Sequence, residues 1–348
     1  MSGGHIRDGL GRLRGIGAGL AAACLLAVAA ASLSGCGSRS EGRRPAKATM
    51  VIAGSFGDAG FFDGAKAGFD RATRDFGLEP AYIACEDQFP RFAEALLEAA
   101  SNSDVVVALG YQFADLLPNL ARSRPEVYFI YVDGEAQGVP NLVCVDFFEE
   151  QGSHLAGLLA ALVSASGLPK SLPGARVGFL GGMDIALIRE FQLGFERGVR
   201  AAAPGAELRV AYVGAFDDPA KAELLADGLF DDGVDVIYAA AGRSGLGAIE
   251  AAKRRGRYVI GVDVDQRPLA PETILASMVK DAGQAIYRLL GEYAAGNASS
   301  GIRRYGLADK AVGLDWGGEP YLVPAELRER VELEAQRLIA LELPVMRP

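Results

Sequence analysis

The sequence predicts an α/β protein of two doubly wound lobes, each built on a parallel sheet. From residue 49 onward, short runs rich in Val and Ile alternate with amphipathic stretches. The runs are hydrophobic throughout, which is typical of parallel strands that helices cover on both faces. They form two long series on either side of segment 167–175, GLPKSLPGA, which reads as a linker. Because two such series contain more strands than one ordinary sheet, we expect two lobes.

Ten strands are predicted along the chain. In order they are ATMVIAG, PAYIAC, DVVVALG, VYFIYVD and NLVCVDF, then ARVGFLGG, LRVAYVG, DVIYAAAG, YVIGVD and ILASMVK. Helices are predicted between them, for example in DGAKAGFDRATRDFG and RFAEALLEAASNS, where apolar residues recur at helical spacing. Asp184 and either Asp217 or Asp218 are expected to cap the helices that follow them.

The composition limits the class of partner. The 348 residues are 50% hydrophobic, which is enough for one large domain or two of ordinary size. The formal net charge is −9, and it becomes −11 without residues 1–35, which carry three Arg and one Asp. An acidic surface is repelled by phosphate backbones. The sequence therefore argues against a nucleic-acid partner.

Residues 1–35 have the organisation of a secretory signal peptide, with three Arg before the run IGAGLAAACLLAVAAA. This run is shorter than the roughly 20 residues of a membrane span. The motif Leu33-Ser34-Gly35-Cys36 resembles the lipobox of bacterial lipoproteins. The resemblance implies cleavage before Cys36 and lipidation of its thiol, with palmitate among the acyl chains. Residues 36–48 would then form a lipidated tether, and the protein would meet the membrane through its lipid anchor only.

Of the four cysteines, Cys24 would leave with the signal peptide and Cys36 would carry lipid. Cys85 and Cys144 each end an apolar run, so two buried free thiols are expected rather than a disulfide. With two His in the chain and no Cys-x-x-Cys spacing, no metal site is predicted.

Polar and aromatic residues gather at the carboxyl ends of the predicted strands, where open α/β sheets bind ligands. They are Ser55, Asp58, Tyr111, Asp133, Phe216, residues 242–245, Asp263 and Asp265. Strand ends that face each other across two lobes predict a cleft. Asp263 and Asp265 are two residues apart, which in extended geometry points both carboxylates to one side. Such a pair suits a paired-acid catalyst, a metal site or a clamp for sugar hydroxyls, and the spacing leaves all three open.

Two Gly-containing turns add to this predicted cleft. The turn in YAAAGRSGLGAIEAAKRRG lacks the Gly-Lys-Ser/Thr of a phosphate-binding loop, so close approach of a ligand to the backbone is the preferred interpretation. The turn after the first strand, GSFGDAGFFDGAKAG, carries Asp58, Phe61 and Phe62 among glycines. Aromatic side chains at a cleft suit a planar ligand.

Four stretches resemble one protein family closely. They are GFLGGMDIALIREFQLGFERGV, YVGAFDDPAKA, DVIYAAAGRSGLGAIEAAKRRGRYVIGVDVDQ and SMVKDAGQAIYR. The family is the basic-membrane-protein group of lipoproteins, the purine nucleoside receptors among ABC-transporter substrate-binding proteins. The similarity runs from residue 49 to about 320. It implies a type I periplasmic-binding-protein fold, whose two lobes are joined by three crossovers and close on a nucleoside.

The resemblance also implies roles for individual residues. Phe61 and Phe216 resemble the two aromatics that sandwich the base, and Asp133 resembles an acid that bonds the base edge. Asp263 resembles the acceptor of the ribose hydroxyls, Gly242 contributes backbone, and Lys280 resembles the lysine that completes the polar shell of the sugar. Neither Asp263 nor Asp265 needs to titrate for this purpose. Weaker expectations fall on Asp58, Phe62, Tyr111, Ser244 and Asp265.

One motif departs from the family pattern. Where many members have Asp-Lys-Ser-Phe-Asn, this chain has Asp58-Ala59-Gly60-Phe61-Phe62. The Asn that would read the base is missing, so the preferred nucleobase stays open. The three crossovers implied by the fold place residues 49–148 and 279–311 in an N-terminal lobe. They place residues 149–278 and 312–348 in a C-terminal lobe.

The resulting hypothesis is a lipid-anchored extracytoplasmic protein that binds a nucleoside, most readily a purine nucleoside, and delivers it to the permease and ATPase subunits of an ABC transporter. It needs no cofactor and is not an enzyme. One alternative is a sensor of the same fold that presents the bound nucleoside to a membrane partner. Another is a nucleoside hydrolase with calcium in an Asp cluster. Such a calcium site requires more carboxylates near one strand than Asp263 and Asp265 supply.

Overall fold

The computed structural model describes residues 45–341 of the chain. The predicted signal peptide, Cys36 and most of the predicted tether lie outside the described residues. The first strand begins at Lys47, so the last two residues of the predicted tether belong to a sheet. In the region that the structure describes, no helix is long and apolar enough to cross a membrane.

The first sheet has six strands, and each of its neighbouring pairs is parallel. Its strands are β1 (Lys47–Ile52), β2 (Glu79–Ala84), β3 (Val105–Leu109), β4 (Tyr128–Val132), β5 (Leu142–Phe147) and β11 (Gly301–Tyr305), in the spatial order β11-β5-β4-β3-β1-β2. The helices that follow its first three strands are α1 (Phe61–Phe76), α2 (Phe89–Asn102) and α3 (Leu117–Ser123). Strands β3 and β4 are buried along their whole length, which explains why their sequences are hydrophobic without interruption.

The second sheet repeats this arrangement. Its strands are β6 (Arg176–Gly181), β7 (Glu207–Tyr212), β8 (Val236–Ala240), β9 (Tyr258–Asp263), β10 (Ile274–Lys280) and β12 (Val312–Asp315), in the order β12-β10-β9-β8-β6-β7. Its helices are α5 (Ala186–Ala202), α6 (Pro219–Asp231) and α7 (Gly245–Arg255). All ten predicted strands are present, and the two-lobed α/β fold is confirmed.

Three crossovers connect the lobes. Helix α4 (Glu149–Ser164) leaves the first sheet after β5 and packs on α5 of the second lobe. Helix α8 (Ala282–Ala294) leaves the second sheet after β10 and packs on α1. The chain then adds β11 to the first sheet and β12 to the second, and it ends the described region with α9 (Ala325–Leu341), which packs on α4.

Strands β11 and β12 were not predicted. Both lie at the edge of a sheet, where a strand needs no continuous apolar run. Strand β11 carries Arg303 and Arg304, and β12 has four residues. Strand β12 runs antiparallel to β10 and is the exception to the parallel pattern among the described strand pairs. Cys85 and Cys144 are both buried and free, as expected.

Candidate ligand-binding site

A cavity lies between the lobes at the carboxyl ends of the strands and encloses about 910 Å³, its open mouth included. The first lobe supplies its wall with the turns after β1, β2 and β3 and the end of β4. The second lobe supplies the beginning of α5, the turns after β7 and β8 and the ends of β9 and β10. The six residues on which the sequence hypothesis rests all line it, namely Phe61, Asp133, Phe216, Gly242, Asp263 and Lys280. Asp58, Phe62 and Tyr111 line it as well.

The Lys280 side chain is 2% exposed and forms a buried ion-pair cluster. Its ammonium nitrogen lies 2.7 Å from Asp133 Oδ1 and 2.8 Å from Oδ2. It also lies 3.1 Å from Glu149 Oε1. An ammonium has three protons to donate, so two carboxylate partners leave it one donor for a ligand. Lys280 is therefore a positive charge that is held in place with a donor to spare.

Aromatic rings surround the same ammonium. The Lys280 nitrogen lies 4.9 Å from the ring centre of Phe61, 5.3 Å from that of Phe147 and 5.6 Å from that of Phe191. The face of an aromatic ring attracts a cation at this range. Phe61 therefore lines the cavity and also lies beside the Lys280 ammonium.

Phe216 enters the cavity from the second lobe. A side chain at Gly182, after β6, would meet the Phe216 ring at 2.3 Å, so the close approach of the ring requires glycine there. Gly242 follows β8 with a φ of +55°, and it lies against Phe216 as well. Phe61 and Phe216 are both half-buried and are contributed by opposite lobes.

Asp58 organises the turn that carries Phe61. Its carboxylate accepts hydrogen bonds from the backbone N–H groups of Gly60 at 3.0 Å, Phe62 at 2.9 Å and Asp63 at 3.1 Å. The Asp63 carboxylate accepts in turn from the N–H groups of Gly57 and Ala59, at 2.8 and 2.9 Å. Two interlocked carboxylates therefore fix the turn and the first residues of α1.

The family of the chain follows from comparison with known proteins. The sequence model of the PnrA-like ABC transporter substrate-binding proteins, named Bmp, matches residues 46–340. The chain belongs to this family. Basic membrane protein A1 of Borrelia garinii subsp. bavariensis is 32% identical over 307 residues, which cover 86% of this chain and 88% of that protein.

Solved structures show the same fold. A solute-binding protein of an ABC transporter system from Aeropyrum pernix K1 superposes with a TM-score of 0.79 at 23% identity, over 87% of this chain and 94% of that one. A transcriptional activator of the comK gene from Bacillus halodurans superposes with a TM-score of 0.71 at 22% identity, over 85% and 99%. At these identities the likeness concerns the fold alone.

Membership in the PnrA-like family establishes the general role of the protein. It is a substrate-binding protein of the ABC-transporter type, so it has a ligand and a transporter as partners. Substrate-binding proteins of ABC transporters work outside the cytoplasm.

The cavity of this PnrA-like protein is rich in acids. Burial raises the pKa of Asp263 to about 7, although the charge of Lys280 opposes the shift. Burial also raises the pKa of Asp133 and, further, that of Glu149. Burial alone would lower the pKa of Lys280, but the neighbouring carboxylates raise it above its ordinary value. The lysine is therefore charged, and the pKa of Asp263 lies near neutral pH.

Two of the weaker expectations do not reach the cavity. Ser244 is fully buried, where its hydroxyl donates to the carbonyl of Ala215 and accepts from the N–H of Asp218. Asp265 is exposed and accepts from the backbone N–H of Arg267 at 3.0 Å. Both side chains hold turns in place. Strand β9 ends at Asp263, whose φ of +69° departs from extended geometry, so the spacing no longer points both carboxylates to one side: Asp263 lines the cavity and Asp265 does not.

The sequence hypothesis missed several residues at the site. Glu149 is one, although it comes two residues after the end of β5. Phe147 and Phe191 are others, because nothing in the spacing of the chain brings them to Lys280. Asp87 and Gln112 line the cavity too, and Gln112 Nε2 donates to Asp87 Oδ1 at 3.3 Å.

One group of carboxylates comes close enough to share a cation. The oxygens of Glu149, Glu150 and Glu190 lie within 4.8 Å of one another. Glu149 is already an ion-pair partner of Lys280, so part of the negative charge of this group is neutralised by the protein itself.

Proposed function

We propose that this protein captures a nucleoside, with a purine nucleoside as the preferred ligand, between its two lobes. The observation that supports the proposal is the combination of two aromatic rings from opposite lobes, Phe61 and Phe216, with a polar end formed by Asp263 and Lys280 in one cavity. A nucleoside matches this combination, since it joins a planar base to a sugar with several hydroxyl groups.

The base lies between Phe61 and Phe216 in this proposal. Stacking of a base on an aromatic side chain contributes roughly 1–3 kcal/mol per contact and tolerates different bases. Because the rings belong to different lobes, both contacts form only when the cleft closes. Binding and closure are therefore coupled.

The ribose lies at the polar end of the cavity. The Asp263 carboxylate accepts from its hydroxyls, and each charge-assisted bond of this kind contributes about 1.5–3 kcal/mol. Lys280 uses its remaining proton on a sugar oxygen. Asp133 lies against the same ammonium, so we assign it to this polar end as the group that orients Lys280, rather than to the edge of the base.

The charge of the cavity favours an uncharged ligand. Its wall holds five carboxylates, at Asp58, Asp87, Asp133, Asp217 and Asp263, against the cations Arg243 and Lys280. Carboxylates that line one cavity repel a further anion. A nucleoside is neutral, whereas a nucleotide adds phosphate charges, so the nucleoside is the better match.

The remaining parts of the proposal concern delivery. The signal peptide and lipobox around Cys36 would place the protein on the outer side of the membrane by a lipid anchor, from which it hands the nucleoside to the permease of its ABC transporter. The bound nucleoside is released unchanged. Nothing in the cavity requires a cofactor for this task.

Calorimetry with inosine, guanosine, adenosine and cytidine tests the proposal. At least one purine nucleoside is expected to bind in the micromolar range or tighter, and its 5′-monophosphate at least tenfold more weakly. Chromatography of the same mixtures after overnight incubation reports free base, which a hydrolase would produce. Absence of binding by every nucleoside, or accumulation of free base, contradicts the proposal.

A further inference from the structure

A glutamine outside the cavity connects the two lobes. Gln266 follows β9 in the second lobe and is 3% exposed. Its side-chain Nε2 donates to the carbonyl of Ala59, in the first lobe, at 2.9 Å. Its Oε1 accepts from the backbone N–H of Val262 at 3.1 Å, and its own N–H donates to Ser277 Oγ at 3.0 Å. Two bonds of the side chain and one of the backbone N–H thus hold Gln266 in place, and the bond to Ala59 crosses between the lobes.

Both ends of the cross-lobe bond belong to turns that carry site residues. Ala59 lies between Asp58 and Gly60, in the turn that leads to Phe61. Gln266 accepts from Val262, the neighbour of Asp263. The bond therefore ties the turn of a stacking ring to the strand end of the hydroxyl acceptor.

The surroundings are adapted to this glutamine. A side chain at Gly261 would come within 2.6 Å of Gln266 Oε1, so this residue of β9 has to be glycine for the amide to fit. Ala59 has a φ of +49°, an unfavourable conformation for a residue with a side chain. Such a conformation persists where neighbouring contacts fix it, and the bond to Gln266 is one of them.

We propose that Gln266 is a positioning residue that stabilises the closed cleft independently of ligand. It does not line the cavity, so it contributes nothing to the ligand directly. When the lobes separate, its amide and the Ala59 carbonyl exchange their bond for bonds to water. The bond thereby favours the closed state, and a ligand that binds the closed state gains affinity in proportion. This inference rests on the proposed function only for the identity of the ligand.

Two substitutions separate the cross-lobe bond from the bond within the lobe. Gln266→Glu keeps an oxygen that accepts from the N–H of Val262. When its carboxyl is ionised, however, it has no proton to donate to the carbonyl of Ala59. Gln266→Met has a similar length and lacks both bonds. Gln192→Met is the matched control, because Gln192 accepts from Tyr212 within the second lobe at 2.5 Å and leaves the cross-lobe bond intact.

The first experiment measures closure without ligand and affinity with inosine. Small-angle scattering of the ligand-free protein should give a larger radius of gyration for both Gln266 variants than for the parent and the Gln192 control. Calorimetry should show inosine affinity about three- to tenfold weaker, the effect of one lost hydrogen bond. An unchanged radius of gyration in both variants overturns the inference, as does a lower melting temperature with unchanged affinity.

The second experiment is a rescue by protonation. Below its pKa, the carboxyl of Gln266→Glu regains an O–H that can donate to Ala59. The ratio of its inosine dissociation constant to that of the parent should fall toward one as the pH is lowered, while the ratio for Gln266→Met stays constant. Parallel pH profiles for the two variants contradict a hydrogen-bonding role.

These outcomes also separate this inference from the proposed function. If the parent binds no nucleoside but the Gln266 variants expand in scattering, the proposed function fails and the cross-lobe bond stands. If the parent binds inosine and the variants neither expand nor weaken, the inference fails alone. If neither variant folds, Gln266 is required for folding and its role in closure is overturned.

Discussion

Asp133 and Asp263 occupy equivalent positions in the two lobes. Asp133 directly follows β4, the fourth strand of the first sheet, and Asp263 ends β9, the fourth strand of the second. Their φ angles are +62° and +69°, in the left-handed region. Both line the cavity. The pseudo-symmetry of the lobes thus brings two acids to one site, where a single lysine interacts with both.

Loss of a stacking ring should weaken ligand binding without unfolding the protein. Phe61→Ala and Phe216→Ala are each expected to lower nucleoside affinity by roughly ten- to a hundredfold, from about 1–3 kcal/mol of lost stacking. Phe89→Ala is the control, because this phenylalanine is 78% exposed and does not line the cavity. Calorimetry and thermal melting check the prediction. Low melting temperatures with normal affinity would make the two rings core residues instead.

Removal of the Asp263 carboxylate should cost affinity only when the sugar has hydroxyls to donate. Asp263→Ala is expected to weaken nucleoside binding by some 1.5–3 kcal/mol, whereas a 2′,3′-dideoxy analogue should bind parent and variant about equally. Asp265→Ala should have little effect, since that side chain holds a turn. Calorimetry with both ligands tests this. An equal loss for both ligands would assign Asp263 to the stability of the lobe.

Nucleoside affinity should decrease as the pH falls below about 7. Burial is the main cause that raises the pKa of Asp263 to about 7. The charge of Lys280 opposes this rise, and the charges of Asp58 and Asp133 add to it. A ligand that donates to the ionised carboxylate binds that form, so binding releases a proton on the acid side. The affinity should then fall by up to about tenfold per pH unit below the pKa.

Calorimetry between pH 5.5 and 8 measures this dependence. Asp263→Asn is the control, since an amide of the same shape cannot titrate and should flatten the profile. Equal slopes for parent and variant would assign the pH dependence to another group.

Replacement of Lys280 should destabilise the fold at neutral pH. Lys280→Met leaves the buried carboxyls of Asp133 and Glu149 without their cation, which is expected to cost about 3–5 kcal/mol. The pKa values of both acids are raised by burial already, so the loss should shrink as the pH falls and they become neutral. Urea unfolding at pH 5 and pH 8 measures the difference. The double variant Lys280→Met with Glu149→Gln should recover part of the loss, and a constant loss across pH would contradict the ion-pair account.

The lipid anchor can be tested at the predicted cleavage site. Cys36→Ala is expected to abolish lipidation and to yield soluble protein or an uncleaved precursor, because the thiol of the lipobox is removed. Membrane fractionation with metabolic palmitate labelling measures both. Labelled, membrane-bound variant protein would show that the anchor is elsewhere.

Much of the fold could be predicted because a buried parallel strand must be hydrophobic along its length. The eight interior strands are visible in the sequence for this reason, and the edge strands β2 and β7 still carry short apolar runs. The edge strands β11 and β12 carry none of comparable length, since β11 includes two arginines and β12 has four residues. Helix caps show the same limit. Asp218 caps α6 by accepting from the N–H of Lys221, as expected. Asp184 forms an ion pair with Arg189 instead.

The sequence by itself determined the family, the two-lobed fold and the six principal residues of the site hypothesis that line the cavity, since side chains at strand ends converge wherever parallel strands share an edge. Only the tertiary structure decided what those residues contact. Glu149 and Phe191 reach Lys280 through a crossover helix and a helix of the second lobe, at distances that no local pattern encodes. The raised pKa of Asp263 and the bond from Gln266 to Ala59 likewise depend on burial and on contact between lobes. Both arise from packing of segments far apart in the chain.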